Sequence, residues 1–278
     1  MKDFDLIVIG SGPGGYRAAV LATLRGLKVA IIEKADWGGC CLNRGCVPKK
    51  DWHHTAKLVS ASKGFARRGL EGTLSGNLNQ AWQHQKKVVT RVRDSYTDYM
   101  KRLGIAAFRG TGSFVDAHTI AVDGTEQVRG VHVIIATGSS PFVPEAFPVT
   151  PGRILTTDDL FDNPPPPGKR VALIGSGVIG TEFAFILSQL GKEIVWVTQS
   201  RPLSGSSFSQ PALKLLNDAL ARNQIQARTG CRPTCVELDG DTVVLKLQDG
   251  TEERVDWVVL GTGRRPHTAG LHLEQAGV

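Results

Sequence analysis

The same short unit occurs twice in this chain. Asp5–Ile9 is an apolar run ending in Gly10-Ser11-Gly12-Pro13-Gly14-Gly15, with a helical pattern from Tyr16 to Arg25. Val171–Ile174 runs into Gly175-Ser176-Gly177-Val178-Ile179-Gly180, again ahead of a helical pattern, to about Leu190. Gly175 stands 165 residues after Gly10, and a second strand follows each helix, at 28–32 and 193–197. Glycines so spaced between strand and helix permit a tight turn, let backbone approach a pyrophosphate, and let helix and strand pack closely. The anion then faces the unpaired N–H groups of a helix start. Either loop alone could be a tight turn without a ligand. The pair, in matching context, predicts two nucleotide-binding α/β domains.

At 278 residues the chain has room for two domains of the usual ~100–200 residues. The formal charge is +7, but Lys and Arg are scattered without a basic run, which argues against nucleic-acid binding. No stretch approaches the ~18 apolar residues of a membrane span. Met1–Asp5 leads directly into a strand, without the apolar core of a signal peptide, so a cytoplasmic protein is expected.

Between the two fingerprints, 78–102 reads as a long helix with Val88, Val92, Tyr96 and Met100 at every fourth position. Short strands are expected at 106–108, 114–115, 119–122 and 131–136. Asn163-Pro164-Pro165-Pro166-Pro167-Gly168 reads as a stiff linker at the crossing between domains. A helix at 211–223 and strands at 235–238, 242–247 and 255–260 complete the second domain. The expected boundaries are 1–149 for the first segment of the first domain, 150–263 for the second domain, and 264–278 for the return to the first.

Glu33 lies 18 residues beyond Gly15, at the end of the next strand, where a carboxylate can accept hydrogen bonds from ribose hydroxyls. Eighteen residues beyond Gly180 the residue is Thr198, followed by Gln199, Ser200 and Arg201. With no carboxylate to repel a 2′-phosphate and Arg201 to attract one, the second site leans slightly toward NADPH. Arg201 reads equally well as a solvated loop charge.

Gly38-Gly39-Cys40-Cys41-Leu42-Asn43-Arg44-Gly45-Cys46-Val47-Pro48-Lys49-Lys50 follows the first ribose-binding strand. A cysteine at a helix N-terminus ionises more easily because the dipole stabilises the thiolate, and Lys49 and Lys50 add positive potential. In a reducing compartment a close cysteine pair is catalytic or metal-binding rather than structural. The cysteines lack the spaced pairs of zinc ribbons, so no metal is expected, and Cys231 and Cys235 read as inert.

The segment Gly38–Lys50, with four residues between Cys41 and Cys46, resembles the redox motif of the class I pyridine nucleotide–disulfide oxidoreductases. That family includes dihydrolipoamide dehydrogenase, glutathione reductase and mercuric reductase. Gly10–Gly15, Ala136-Thr137-Gly138, Gly175–Glu182 and Gly261-Thr262-Gly263-Arg264-Arg265-Pro266 fit the resemblance in order. It implies two Rossmann-like dinucleotide-binding domains of the FAD/NAD(P)-binding fold, the second inserted in the first, with the family's C-terminal dimerisation domain absent.

The resemblance further implies FAD on Gly10, Gly12, Pro13, Gly15, Glu33, Gly39, Gly112, Ala136, Thr137 and Gly138, and NAD(P)H on Gly175, Gly177, Val178, Ile179, Arg201 and Gly263. Lys50 matches the lysine beside the flavin N5, and Glu182 the glutamate that pairs with it. Cys46 matches the charge-transfer thiol and Cys41 the interchange thiol that exchanges with a small-molecule or protein-bound disulfide or dithiol. Gly12-Pro13-Gly14-Gly15-Tyr16 and Cys41-Leu42-Asn43 read like dihydrolipoamide dehydrogenase, whereas Pro48-Lys49-Lys50 is closer to glutathione reductase. Val178 replaces a gating tyrosine, and Cys40 stands where the family usually has threonine. The full-length form is expected as a homodimer, and the 278-residue chain as impaired in turnover. A truncated non-catalytic dinucleotide-binding protein and an enzyme of the mercuric or glutathione reductase type are the alternatives to a dihydrolipoamide dehydrogenase-like oxidoreductase.

Overall fold

The computed structural model describes residues 2–205 and 207–278, which fold as two units. One takes the chain through Pro48, then Lys87–Ser140 and Arg265–Val278; the other takes Lys49–Lys86 and Pro141–Arg264.

In the first unit, β1 (Lys2–Ile9) leads through Gly10–Gly12 into α1 (Pro13–Leu24) and then β2 (Val29–Glu33). The short α2 (Gly39–Asn43) carries Cys41, and α3 (Cys46–Ser62) begins at the second cysteine. After α4 (Leu78–Arg102) come β3 (Ala106–Arg109), β4 (Gly112–Phe114), β5 (Thr119–Val122) and β6 (Glu126–Ile135). The sheet order is β3-β2-β1-β6-β5-β4; β1 pairs parallel with β2 and β6, while β4 and β5 run antiparallel at one edge. Side chains alternate across a strand. Ile7 and Ile9 therefore pack with Ala30, Ile32, Phe114 and Ile120, while Leu6 and Val8 pack with Ala19, Val20, Ile31 and Met100. Both faces of β1 are buried, as expected for a parallel strand at the middle of a sheet. On β6, Val131, Ile134 and Ile135 are exposed.

In the second unit, β7 (Ser139–Pro141), at the crossing, precedes β8 (Ile154–Thr156) and α5 (Thr157–Asp162). Thr156 and Asp159 cap α5 reciprocally: the Thr156 amide and hydroxyl donate to the Asp159 carboxylate at 2.9 and 2.6 Å, and the Asp159 amide donates back. The second fingerprint joins β9 (Arg170–Ile174) to α6 (Val178–Gln189), which leads to β10 (Glu193–Val197), α7 (Gln210–Arg222) and β11 (Ala227–Arg228). Three antiparallel strands, β12 (Pro233–Asp239), β13 (Thr242–Leu247) and β14 (Glu252–Val255), precede β15 (Trp257–Leu260), and β16 (Arg264–Pro266) lies at the return to the first unit. The parallel sheet runs β11-β10-β9-β15-β8. Helices cover one face, through Phe183, Ile186 and Leu187, and the antiparallel strands cover the other, through Val236, Val243 and Leu245.

This is an α/β fold with two Rossmann-like sheets, and the long helix at 78–102 is present as expected. Within that helix the deepest apolar positions are Leu78, Ala81, Val89 and Met100, with Val88, Val92 and Tyr96 half-buried. The expected domain boundaries need correction. Lys49–Lys86 groups with the second unit because Trp52, Ala56, Leu78 and Ala81 bury against Leu155, Phe161, Leu173 and Phe183. The proline run at 164–167 is not the crossing; it lies between α5 and β9, inside the second unit. The single strand expected at 255–260 is two, parted at Asp256, whose carboxylate accepts from the amides of Lys169 and Arg170.

Candidate functional site

Two loops at strand ends carry the recognition chemistry, one in each unit. In the first, Gly10 has φ +101°, and a Cβ there would come 2.3 Å from the carbonyl oxygen of Ala136. The position needs glycine for its backbone conformation and for the close approach of the Ala136–Gly138 turn. That turn is fixed in its own right: the Thr137 hydroxyl donates to the His267 carbonyl at 2.6 Å, and the His267 amide donates to Gly138 at 2.9 Å. Helix α1 starts at Pro13 behind Gly12, which offers no side-chain oxygen, so its first-turn amides have no side-chain cap. Gly112 is buried against Ile9, Ile120 and Ile32.

Glu33 is buried at the end of β2. One carboxylate oxygen accepts from the Ser11 amide at 2.9 Å and the Ser11 hydroxyl at 2.7 Å, and the other from the Ala35 amide at 2.7 Å. The carboxylate thus ties strand end to fingerprint loop.

The cysteine segment begins directly against that loop. A Cβ on Gly39 would lie 2.6 Å from the Gly12 Cα, so the start of α2 and the fingerprint meet backbone to backbone. Asn43 pins the segment by donating to the carbonyls of Gly39 and Trp37 at 2.9 and 3.0 Å, while Asp36 holds Arg44 and Arg93. Cys41 and Cys46 are both free thiols and hydrogen-bond to each other. For Cys41 the structure reverses the expectation of easy ionisation. Burial, then the hydrogen bond that the Cys41 thiol donates to Cys46 and the repulsion between the two sulfurs, push its thiol up to about 11. The Cys46 amide favours the thiolate but is outweighed.

On α3, Lys49 and not Lys50 forms the ion pair with Glu182. Consecutive residues on an α-helix point ~100° apart. Lys49 is therefore turned inward, with a side chain 17% exposed, and Lys50 faces solvent. The expected Lys50–Glu182 pairing is corrected accordingly.

The second unit contains a cleft of about 890 Å3 at the strand ends of its parallel sheet. Gly175, Gly177, Val178, Ile179, Thr198 and Gly263 line it. Gly175 and Gly180 repeat the close packing of the first loop, and α6 likewise starts behind a glycine with no side-chain cap. Arg201 is exposed and is not among the lining residues; its loop leans on the fingerprint through Ser200 Oγ and Ser176 Oγ, 3.0 Å apart. The lining cation is Arg232, in the loop after β11. No motif in the sequence singles Arg232 out, although ligands of open α/β sheets bind beyond the carboxyl ends of the strands, which is the available signal.

None of the described lining residues is acidic. The Thr198 hydroxyl is buried without a hydrogen-bond partner among the described residues. The backbone cradles of both loops, each opening a helix without a side-chain cap, fit the pyrophosphate of a dinucleotide. No group of three or more described His, Cys, Asp or Glu residues is placed to hold a metal ion. No helix among the described residues is long and apolar enough to cross a membrane.

A family model described as pyridine nucleotide-disulphide oxidoreductase matches residues 4–278. A dihydrolipoyl dehydrogenase of Chlamydia muridarum is 34% identical over 284 residues, covering 99% of this chain and 60% of the relative. A glutathione reductase of Burkholderia cepacia is 34% identical, covering 99% and 61%, and a mercuric reductase of Staphylococcus aureus 32% identical, covering 99% and 51%. Among solved structures, LpdA of Mycobacterium tuberculosis has a TM-score of 0.88 at 23% identity, covering all of this chain and 62% of that one, a likeness of fold. The chain spans between 51% and 61% of the length of these curated relatives.

Proposed function

Because the chain belongs to the pyridine nucleotide-disulphide oxidoreductase family, we propose that it serves in an FAD-dependent, NAD(P)H-linked disulfide or dithiol oxidoreductase of the dihydrolipoamide dehydrogenase type. The observation that carries this reading is the junction of Gly39 with Gly12, which starts the cysteine-bearing helix against the dinucleotide loop, with the Cys41 and Cys46 thiols hydrogen-bonded to each other. A binding protein has no use for a thiol pair so placed.

Bound FAD supplies a two-electron relay between a hydride donor and a dithiol. The chain's residues do the rest. The Gly10–Gly15 loop and the α1 start receive the pyrophosphate, and Glu33 fixes the loop through Ser11 and lies where ribose hydroxyls are bound. Cys41 and Cys46 store the electron pair: oxidising the dithiol releases two protons and two electrons as the S–S bond forms. Cys41 keeps its own proton until a base removes it, because its thiol is held well above neutrality. Lys49 holds Glu182 on α6, two residues beyond the last glycine of the second fingerprint.

The second cleft takes NADPH in preference to NADH, with Arg232 and not Arg201 as the cation for the 2′-phosphate. The acid-free lining supports that choice. The substrate is a small-molecule or protein-bound disulfide or dithiol, and the whole protein is a cytoplasmic homodimer. Anaerobic titration with NADPH of the FAD-loaded protein, its Cys41 and Cys46 thiols first oxidised to the disulfide, tests the reading. The flavin absorbance should bleach, and two thiols per chain, at Cys41 and Cys46, should become newly titratable. Bleaching without new thiols would remove the cysteines from the electron path.

A further inference from the structure

Between Trp52 and Lys86 the chain carries five Lys or Arg residues and a single acid, Glu71. They are too widely spaced to form a run in the sequence, but the fold gathers four of them where α3 gives way to the loop before α4. A short 3-10 turn at Phe65–Arg68 follows α3, and the chain then doubles back. The Leu70 amide donates to the Phe65 carbonyl at 3.0 Å, and the Leu74 amide to the Ser62 hydroxyl at 2.9 Å. The return limb is fixed against α6. A Cβ on Gly76 would lie 2.5 Å from the Gln189 carbonyl oxygen, and Lys63 donates to the Gln189 side chain at 3.0 Å. On the tip so formed, Lys57, Arg67 and Arg68 are exposed, and none of the three is held in an ion pair among the described residues. Leu58, Leu70 and Leu74 are 50%, 53% and 51% exposed. Leu58 lies one helical turn before Ser62, the residue that Leu74 crosses, and Leu70 follows the Arg67–Arg68 turn by two residues. Bare cations and bare leucines are therefore neighbours on one end of α3.

We propose that this tip docks the protein peripherally on an anionic lipid surface. Lys57, Lys63, Arg67 and Arg68 against Glu71 leave it a net charge of +3, which calls for an anionic partner and repels a second copy of the same tip. An acidic peptide would answer the cations and leave three leucines in water. An apolar groove would answer the leucines and strip water from the cations without pairing them. An anionic bilayer meets both demands in one place, with phosphates at the headgroup level and hydrocarbon directly beneath. Leu58, Leu70 and Leu74 enter the interface, while the long Lys and Arg stems reach back to the headgroups. Apolar insertion and charge attraction are each marginal alone, and together they give docking that is stable yet reversible. Neither dinucleotide loop nor the cysteine pair takes part in it.

The test is flotation of the 278-residue chain with vesicles of pure phosphatidylcholine, or of phosphatidylcholine mixed with phosphatidylglycerol. Affinity for the mixed vesicles should exceed that for pure phosphatidylcholine at least tenfold and should fall as salt is raised. Arg67→Ala with Arg68→Ala should weaken binding to the mixed vesicles roughly tenfold or more. Leu70→Ser with Leu74→Ser should weaken it at least tenfold even at low salt, where charge attraction is strongest. Arg129→Ala with Lys214→Ala, which removes two exposed cations elsewhere, should bind as the unaltered chain does. Absence of binding to the mixed vesicles overturns the proposal, and it needs no variant to fold. If poly-L-glutamate then binds, and the Arg67 and Arg68 substitutions abolish that binding, the partner of the tip is an acidic protein. Equal losses from the two cation pairs would also overturn docking at the tip, because binding would then follow net charge alone. Serine variants that bind undiminished would remove the leucines, and with them the interfacial mode.

Discussion

At Cys41 the surroundings decide the chemistry. Its thiol sits at about 11 against an ordinary 9.0, chiefly because burial strips water from the thiolate, and secondarily because of Cys46. A folded value above the unfolded one means that this group's contribution to stability is complete below pH 9 and is lost as pH rises through 11. In the reduced protein, alkylation of Cys41, followed by peptide mapping, should show a midpoint near 11. Cys46→Ala should lower that midpoint, because the hydrogen bond and the neighbouring charge go, yet leave it above the ordinary value because burial remains. An unchanged midpoint would mean that Cys46 has no part in the shift. Arg232 offers a second measurement at this scale. Arg232→Ala should weaken 2′,5′-ADP binding about tenfold, or ~1.4 kcal/mol, and leave 5′-AMP binding little changed, whereas Arg201→Ala should do neither. The reverse ranking would return the 2′-phosphate to Arg201.

Helix α3 shows how far an element can be read from sequence. The glycine loops were legible because glycine there answers a geometric demand that no other residue meets, and the demand recurs at a fixed spacing. The strands around them were legible from short apolar runs. Which lysine of α3 meets Glu182 was not, because that depends on helical phase: Lys49 and Lys50 are chemically alike and differ by a single step of rotation. Arg232 was equally hidden, since nothing in its own segment marks the loop after β11 as cleft wall. Nor did Trp52 announce itself. It is fully buried, with ring centroids 4.9 Å from Phe161 and 6.4 Å from Phe183. Trp52→Ala should cost about 3–5 kcal/mol and should be felt in the nucleotide-binding unit, although Trp52 lies 119 residues before Val171. Chemical denaturation followed by loss of 2′,5′-ADP binding would check it. If binding persists to the same denaturant concentration while the flavin-loop unit fails first, Lys49–Lys86 belongs with the other unit.

At the scale of the molecule, the described residues form two units, each with buried clusters on both faces of its own sheet. A ligand that binds one folded unit stabilises that unit by mass action, ~2.7 kcal/mol at a hundred times its Kd. Heating with and without 2′,5′-ADP, followed by calorimetry, should therefore show two transitions, of which the nucleotide raises one. A single transition moving as a whole would mean that the units melt together.

The sheet of the first unit also sets a timetable. Ile7 on β1 is paired with Val133 on β6, 126 residues further along. Translation at ~5–20 residues per second makes the earlier strand wait roughly 6 to 25 seconds for that neighbour. Trp52 emerges during the interval, and Phe161 and Phe183, the rings it packs against, are made later still. Throughout that time the nascent chain carries a half-paired apolar strand and an uncovered tryptophan, both of the kind that holding chaperones bind. The earliest pieces of this chain are thus the longest unprotected, and slowing synthesis between residues 52 and 161 should lengthen that exposure.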